Sequence, residues 1–99
     1  MHERILRIRK STRKHKKYVA IILANGKIRT VHFGDSRYPQ YRDQTKIKAF
    51  SHKDHGDKKR RQRYFMRHSG VKTKTEALKQ EIMKSHKYTA KRLSHMYLW

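Results

Sequence analysis

The sequence has no cysteine, and of its 99 residues only 7 are acidic. Without cysteine it can form no disulfide framework and no thiolate metal site, which suits a reducing compartment. No apolar run approaches the roughly 18 residues that a transmembrane helix requires. The start, Met1-His2-Glu3-Arg4, lacks the apolar stretch of a signal peptide. We therefore expect neither a membrane span nor a secretion signal.

Residue patterns that carry out catalysis are also missing. There is no cysteine nucleophile, no glycine-rich phosphate loop and no evident pair of carboxylates for acid–base chemistry. Asp54 and Asp57 lie close together, but in this context they are typical of a helix start. His52, Asp54, His55 and His68 could be imagined as a metal set, yet their spacing matches no zinc template. We expect a protein that is not an enzyme and that has no cofactor and no metal.

Positive charge is what the sequence has in excess. Its 28 Lys and Arg residues give a formal net charge of +21, with His counted as neutral. Solubility of a small domain requires a net charge of only about 2–8, and a larger excess opposes compaction by self-repulsion. A polyanion relieves that repulsion and releases counterions. Because the chain also contains ten aromatic residues, six of them Tyr, it differs from a disordered basic tail.

A β-hairpin is the clearest structural signal. Residues 18–24 and 27–33 are two β-rich runs on either side of Asn25-Gly26, the preferred pair for a two-residue type I′ turn. This turn predicts the strand register, with Leu23 opposite Ile28 and Tyr18 opposite Phe33. Residues 4–9 predict a further short strand.

The register also divides the hairpin into two faces. One face pairs Leu23 with Ile28, Ile21 with Thr30 and Val19 with His32, and we expect this face to lie in the core. The other face pairs Ile22 with Arg29 and has Tyr18 and Phe33 at the open end of the hairpin.

Beyond the hairpin, residues 34–50 predict an irregular loop attached to the domain by Tyr38, Tyr41 and Phe50. Three helices are expected after it. Their boundaries, and the residues that share a side of each helix, are as follows: residues 55–68, capped by Asp54 or Asp57 and ended at Ser69-Gly70, with Tyr64, Phe65 and His68 on or near one side; Thr73 or Thr75 to Ser85, with Leu78 and Ile82 on one face; and Thr89 to Leu98, with Ala90, Leu93 and Tyr97 on one face. We expect Trp99 to pack on the domain or on a partner.

The fold class predicted from these elements is α+β. Residues 1–99 form one small domain, with a basic segment over residues 1–17, an N-terminal antiparallel hairpin of two or three strands, and two or three helices. We expect the hairpin and the C-terminal helices to make the fold. Two basic segments are expected to contact nucleic acid or another polyanion, through Arg7, Arg9, Lys10, Arg13, Lys14, Lys16, Lys17, Lys58, Lys59, Arg60, Arg61, Arg63 and Arg67.

The basic run at residues 58–63 has other uses. It can form a solvated helix face, and runs of this length also serve as nuclear import signals. No zinc finger, RNA-recognition aromatic pair or leucine zipper is present in the sequence. Charge without such a reader predicts contacts to phosphates rather than to base edges.

Three blocks of the sequence resemble a family of short basic proteins from large nucleocytoplasmic double-stranded DNA viruses. The blocks are Lys17-Tyr-Val to Gly34 with Tyr38 and Tyr41; His52-Lys-Asp54 to Arg67-His68; and Thr89-Ala90 to Leu98-Trp99. The chain departs from the family pattern in its basic N-terminal segment and in the Lys-rich segment 70–88.

The resemblance implies a non-enzymatic viral protein, with the virion as its location and the host cytoplasm or nucleus as its place during assembly. It would be a minor capsid or core component, in contact with capsid or core proteins and with DNA, an acidic protein surface or lipid headgroups. Composition alone equally fits a ribosomal or other RNA-embedded protein.

Overall fold

A three-stranded antiparallel sheet forms the N-terminal half of the chain in a computed structural model that describes residues 3–99. Its strands are β1 (Arg4–Lys10), β2 (Lys16–Ala24) and β3 (Lys27–Asp35), which lie side by side in chain order. Helices follow in the C-terminal half. The predicted α+β class is confirmed, and so is the third strand.

The predicted hairpin register is confirmed. Tyr18 lies opposite Phe33, and Leu23 lies opposite Ile28. Asn25 and Gly26 both have positive φ, 56° and 72°, as a type I′ turn requires. The strands extend further than the β-rich runs, because Lys16 and Lys17 begin β2 and Asp35 ends β3.

The prediction of which hairpin face is buried was wrong. Tyr18, Ala20, Ile22 and Phe33 are fully buried, whereas Ile28 on the opposite face is 59% exposed. The two large aromatic side chains lie on the buried face, and they bring more apolar area to the core than the aliphatic residues of the other face.

Arg29 is a charged residue on the same side of the sheet as the buried face. Its guanidinium lies at the edge of the core cluster and is satisfied there: Nε and Nη2 donate to the carboxylate of Glu3 at 2.7 and 2.5 Å, and Nη2 donates to the carbonyl oxygen of Tyr88 at 2.8 Å. A charged group with its hydrogen bonds made does not exclude a face from the core. The pKa of Glu3 is lowered by the Arg29 hydrogen bond.

A β-bulge at Leu6 allows β1 to contribute to the same core. Ile5 pairs with Ile22 and Ile8 pairs with Ala20, and the register shifts between Ile5 and Arg7. Residues three apart in a regular strand point to opposite faces. The extra residue corrects this, so that both isoleucines pack against the core cluster.

Residues 36–57 form a long loop that is held by buried polar groups. The Asp43 carboxylate accepts hydrogen bonds from Tyr18 Oη, from the backbone and hydroxyl of Thr45 at 3.0 and 2.6 Å, and from the Phe50 amide at 3.1 Å. Burial and then the Asp43 hydrogen bond raise the pKa of Tyr18 to about 12. This network attaches the loop to β2 near its start, at Tyr18.

Asp54 supports the same loop rather than capping a helix. Its Oδ1 accepts from Gln40 Nε2 at 2.6 Å and from the Asp43 amide at 2.7 Å. A short 3₁₀ turn over Ser51–Lys53 precedes it. Of the two predicted caps, Asp57 is therefore the correct one, and its Oδ1 accepts from the amides of Lys59 and Arg60.

Three helices complete the fold: α1 (Lys58–Ser69), α2 (Lys74–Lys84) and α3 (Ala90–Tyr97). Thr73 and Thr89 cap α2 and α3 through their side chains. Gly70 ends α1 in the left-handed conformation, with φ of 68°. The predicted boundaries thus agree with the structure, except that α1 begins three residues later.

The predicted face of α3 lies in the core, and Phe65, on the predicted side of α1, is buried as well. Leu93 is fully buried against the sheet, and the Tyr97 and Phe33 rings lie 6.0 Å apart. In α2 the buried residues are instead Ala77 and Glu81. Ile82 is 45% exposed and Leu78 is partly buried, so the side of α2 that these two residues share does not enter the core.

Candidate polyanion interface

The basic side chains of β1 and of the turn after it lie at the surface. Arg7 and Arg9 pair with Ile21 and Val19, so they extend from the sheet face opposite the core. Lys10 lies on the core side of this edge strand with its ammonium 5.8 Å from the Phe50 ring centroid. Three further members of this segment are exposed around the turn: Arg13, Lys14 and Lys16.

Lys17 does not belong to this surface. It is 2% exposed, and its ammonium donates to the carbonyl oxygen of Tyr38 at 2.8 Å and to Oε1 of Gln40. Burial lowers the pKa of Lys17 to about 8. Lys17 is among the residues that line the cleft described below, but its ammonium is bonded to the loop after β3, which corrects the sequence prediction that it contacts a polyanion.

Helix α1 carries the second basic segment and distributes it around the helix axis. Lys58 and Lys59 are exposed in its first turn. Arg60, Arg63 and Arg67 share one side, as residues three and four apart do. We refer to these three side chains as the arginine row. None of them has an ion pair or a side-chain hydrogen bond within residues 3–99.

Arg61 points to the opposite side and is engaged within the protein. Its Nε donates to the Trp99 carbonyl oxygen at 2.8 Å. Its guanidinium lies 4.7 Å from the Tyr41 ring centroid and 5.9 Å from that of Phe65. Arg61 is thus a scaffold residue, which corrects its assignment to the interface.

The arginine row lines a surface cleft of about 640 Å³, which we call the α1 cleft. The cleft is also bordered by the end of β3 at Gly34 and Asp35, by Tyr38, and by Trp99. Asp35 is the acidic residue of the lining, and its carboxylate is occupied by Arg37, whose Nε and Nη2 donate to it at 3.0 and 2.8 Å. These hydrogen bonds hold the pKa of Asp35 well below its usual range.

The turn between β1 and β2 borders the same region. The His15 carbonyl oxygen accepts from the Ser36 amide at 3.1 Å, which joins this turn to the segment that lines the α1 cleft. The turn that carries exposed residues of the first basic segment and the arginine row of the second therefore both lie close to residues 35–38.

A buried imidazole fixes α1 against α3 behind the cleft. His95 is 0% exposed, and its ring nitrogens form hydrogen bonds with Tyr64 Oη at 2.9 Å and Ser69 Oγ at 3.1 Å. The Tyr64 ring also stacks on Trp99, with centroids 4.1 Å apart and planes 4° from parallel. Burial lowers the pKa of His95 to about 4 and raises that of Tyr64.

Sequence reasoning missed two residues of the cleft. Tyr38 was expected to attach the loop to the domain, but its side chain is 61% exposed and lines the cleft. His68, which also lines it, was not included in the basic set. Its position one helical turn after Tyr64 and eight residues after Arg60 was the signal that could have found it.

Within residues 3–99, no three His, Asp or Glu side chains come together in a way that could hold a metal ion. In the same part of the chain, no helix has both the length and the apolar character needed to cross a membrane.

Residues 6–45 are similar to a family of unknown function (DUF5754). The similar segment covers most of β1, all of β2 and β3, and the first part of the loop that lines the cleft. No curated protein and no solved structure matches the chain.

Proposed function

We propose that this protein is a non-enzymatic structural component of a large DNA virus particle, where it acts in the capsid or core by binding an anionic partner. DNA is the first candidate for that partner, and an acidic protein surface or lipid headgroups would offer the same charge. The observation that carries the proposal is the arginine row, which lies on one side of α1 and has no carboxylate partner among residues 3–99, in a protein of net charge +21.

The internal ion pairs leave most of the positive charge without an acidic partner. Within residues 3–99 they involve three cations, Arg29, Arg37 and Lys84. Several acidic groups serve the fold, as Asp43 and Asp57 do. Unpaired surface cations gain most from an external polyanion, because each contact to it releases condensed counterions.

Arginine suits this role better than lysine. Its guanidinium offers a planar fork of donors that binds phosphate or carboxylate oxygens in pairs. The arginine row presents three such groups on one helix side, and the adjacent Asp35 carboxylate is already occupied by Arg37. An anion that enters the cleft would therefore replace water rather than an internal partner.

The viral part of the proposal is supported by the resemblance of residues 17–41, 52–68 and 89–99 to short basic proteins of large DNA viruses. These blocks include Asp54, which holds the loop, and Trp99, which stacks on α1. They therefore coincide with positions on which the shape of the cleft depends.

Mass spectrometry of gradient-purified particles tests the proposal. Particles treated with protease before lysis, to remove adhering proteins, should still contain the protein, and cross-linking in intact particles should identify its neighbours. Absence of the protein from such particles would refute a virion role. Co-sedimentation with ribosomal subunits after a high-salt wash would instead support an RNA-embedded protein.

A further inference from the structure

The α1 cleft combines two features that a general anion-binding surface does not need. One is the regular spacing of the arginine row: Arg60, Arg63 and Arg67 are separated by about 4.5 and 6 Å along the helix axis. The other is an aromatic ring exposed in the same cleft, that of Tyr38. The first provides a track for several phosphates in succession, and the second provides a flat apolar face.

Tyr38 is exposed, yet its backbone is fixed in place. The buried ammonium of Lys17 donates to its carbonyl oxygen at 2.8 Å and also to Gln40. The ring itself has the Arg37 guanidinium 5.7 Å from its centroid. Because Tyr38 is 61% exposed, its ring leaves apolar surface in contact with water, which is unfavourable. A stacked ligand would cover that surface.

The opposite part of the cleft is rigid. Trp99 stacks on Tyr64, and Tyr64 Oη is hydrogen-bonded to the buried His95. These contacts orient the side of α1 that carries the arginine row. A volume of about 640 Å³ lies within the range of about 300–1,000 Å³ found for small-molecule sites.

Single-stranded nucleic acid has the chemistry that fits this arrangement. Proteins bind single strands by combining a positive groove along the phosphates with aromatic rings on which bases stack. In a duplex the base faces are already stacked on one another, so an exposed ring gains nothing there. Acidic peptides and lipid headgroups offer negative charge but no planar ring as a general feature.

We propose that the α1 cleft binds a short stretch of single-stranded nucleic acid, with phosphates on Arg60, Arg63 and Arg67 and one base stacked on Tyr38. This inference rests on the proposed function, since it specifies the chemical class of the anionic partner and the site that binds it. Stacking is insensitive to base identity, so the site has little sequence preference.

Fluorescence anisotropy with a labelled 12-nucleotide oligo-dT tests the inference, with a 12-base-pair duplex and heparin as comparison ligands. Tyr38→Ala should weaken oligo-dT binding by about 5- to 150-fold, the range that corresponds to loss of one stacked base. It should leave duplex and heparin binding unchanged, and Tyr38→Phe should bind oligo-dT as the wild type does. Circular dichroism melting confirms that each variant is folded.

A charge-matched pair of variants tests the arginine row. Replacing Arg60, Arg63 and Arg67 by Gln should weaken oligo-dT binding much more than the same replacement of Lys27, Lys46 and Lys79, three exposed residues outside the cleft. Both triple variants lose the same charge. Equal losses in the two would overturn the assignment of the cleft.

The outcomes separate the inference from the proposed function. If the wild type binds heparin and duplex with a steep salt dependence but Tyr38→Ala leaves oligo-dT affinity unchanged, the cleft inference fails and polyanion binding stands. Binding of acidic peptides or of vesicles of anionic lipid, with no binding of oligo-dT, would also overturn the inference. If the wild type binds no polyanion at low salt, both fail.

Discussion

Acidification should destabilise the protein through His95. This imidazole is fully buried between α1 and α3 and is hydrogen-bonded at both ring nitrogens, to Tyr64 and to Ser69. A neutral ring has one donor and one acceptor and can satisfy both partners, because each hydroxyl can donate or accept. Protonation would place a charge in a desolvated site.

The sign and size of the effect follow from the pKa. Burial is the largest cause that lowers the pKa of His95 to about 4; Glu81 opposes it, and Lys91, His68 and Lys74 add to it. Between pH 4 and the ordinary value of about 6.5, the unfolded chain binds a proton that the folded protein does not. Stability is therefore fully present above about pH 6.5 and is lost as the pH falls towards 4.

Linkage gives a loss of about 2.5 kcal/mol between pH 7.5 and 4.5 from this one group. That is a large part of the roughly 5–15 kcal/mol by which small domains are stable. Urea unfolding at fixed ionic strength measures it, because the midpoint and the slope together give the free energy of unfolding. Constant ionic strength matters here, since self-repulsion in a protein of +21 depends on salt.

A variant isolates the contribution of His95 from those of other histidines. His95→Gln should be less stable than the wild type at pH 7.5, and this difference should shrink by about 2.5 kcal/mol by pH 4.5. If the His95→Gln curve is parallel to that of the wild type, His95 is not buried as a neutral ring and the reasoning is refuted.

Three further predictions concern the fold and are measured by urea unfolding. Leu93→Ala should lose about 2–5 kcal/mol, because Leu93 is fully buried, and Leu23→Ala on the outer sheet face should lose less; equal losses would contradict the assignment of the core face. Gly34→Ala should cost at least about 1 kcal/mol more than Gly26→Ala. Both positions have positive φ, but a Cβ at Gly34 would lie 2.8 Å from a Leu98 methyl carbon, whereas a Cβ at Gly26 would meet no neighbouring heavy atom within 4 Å. Equal costs would contradict close packing of β3 on Leu98. Asp43→Ala should lose about 2–4 kcal/mol by leaving the Thr45 and Phe50 amides without their acceptor, and a loss below about 1 kcal/mol would contradict the role of this carboxylate in holding the loop.

Local features of the fold were readable from the sequence. Asn25-Gly26 specifies the hairpin turn and with it the strand register, and Thr73, Thr89 and Gly70 mark helix ends through backbone hydrogen bonds of their own segment. These signals act over a few residues. They do not depend on what packs against the element.

Features that depend on distant partners were not readable in the same way. The buried face of the hairpin was misjudged. It carries Arg29, whose hydrogen-bond acceptors are distant in sequence: Glu3 is 26 residues away and the Tyr88 carbonyl oxygen is 59 residues away. The bulge at Leu6 likewise became evident only from its pairing with β2.

The same limit applies to the candidate site. A run of basic residues on a helix spreads around the axis, so the run alone cannot separate the arginine row from Arg61. That separation is made by the Trp99 carbonyl and the Tyr41 ring, which come from distant parts of the chain. Lys17 is a similar case, since its acceptors lie in the loop after β3.

The central claim is that exposed cations bind a polyanion mainly by counterion release, and a salt titration of duplex DNA binding tests it most directly. If the protein neutralises about 6–10 phosphates, its affinity should fall by about 10³–10⁵ between 50 and 200 mM salt. Replacing Arg60, Arg63 and Arg67 by Gln should flatten the slope by up to about three units. A slope near zero for the wild type would contradict the account.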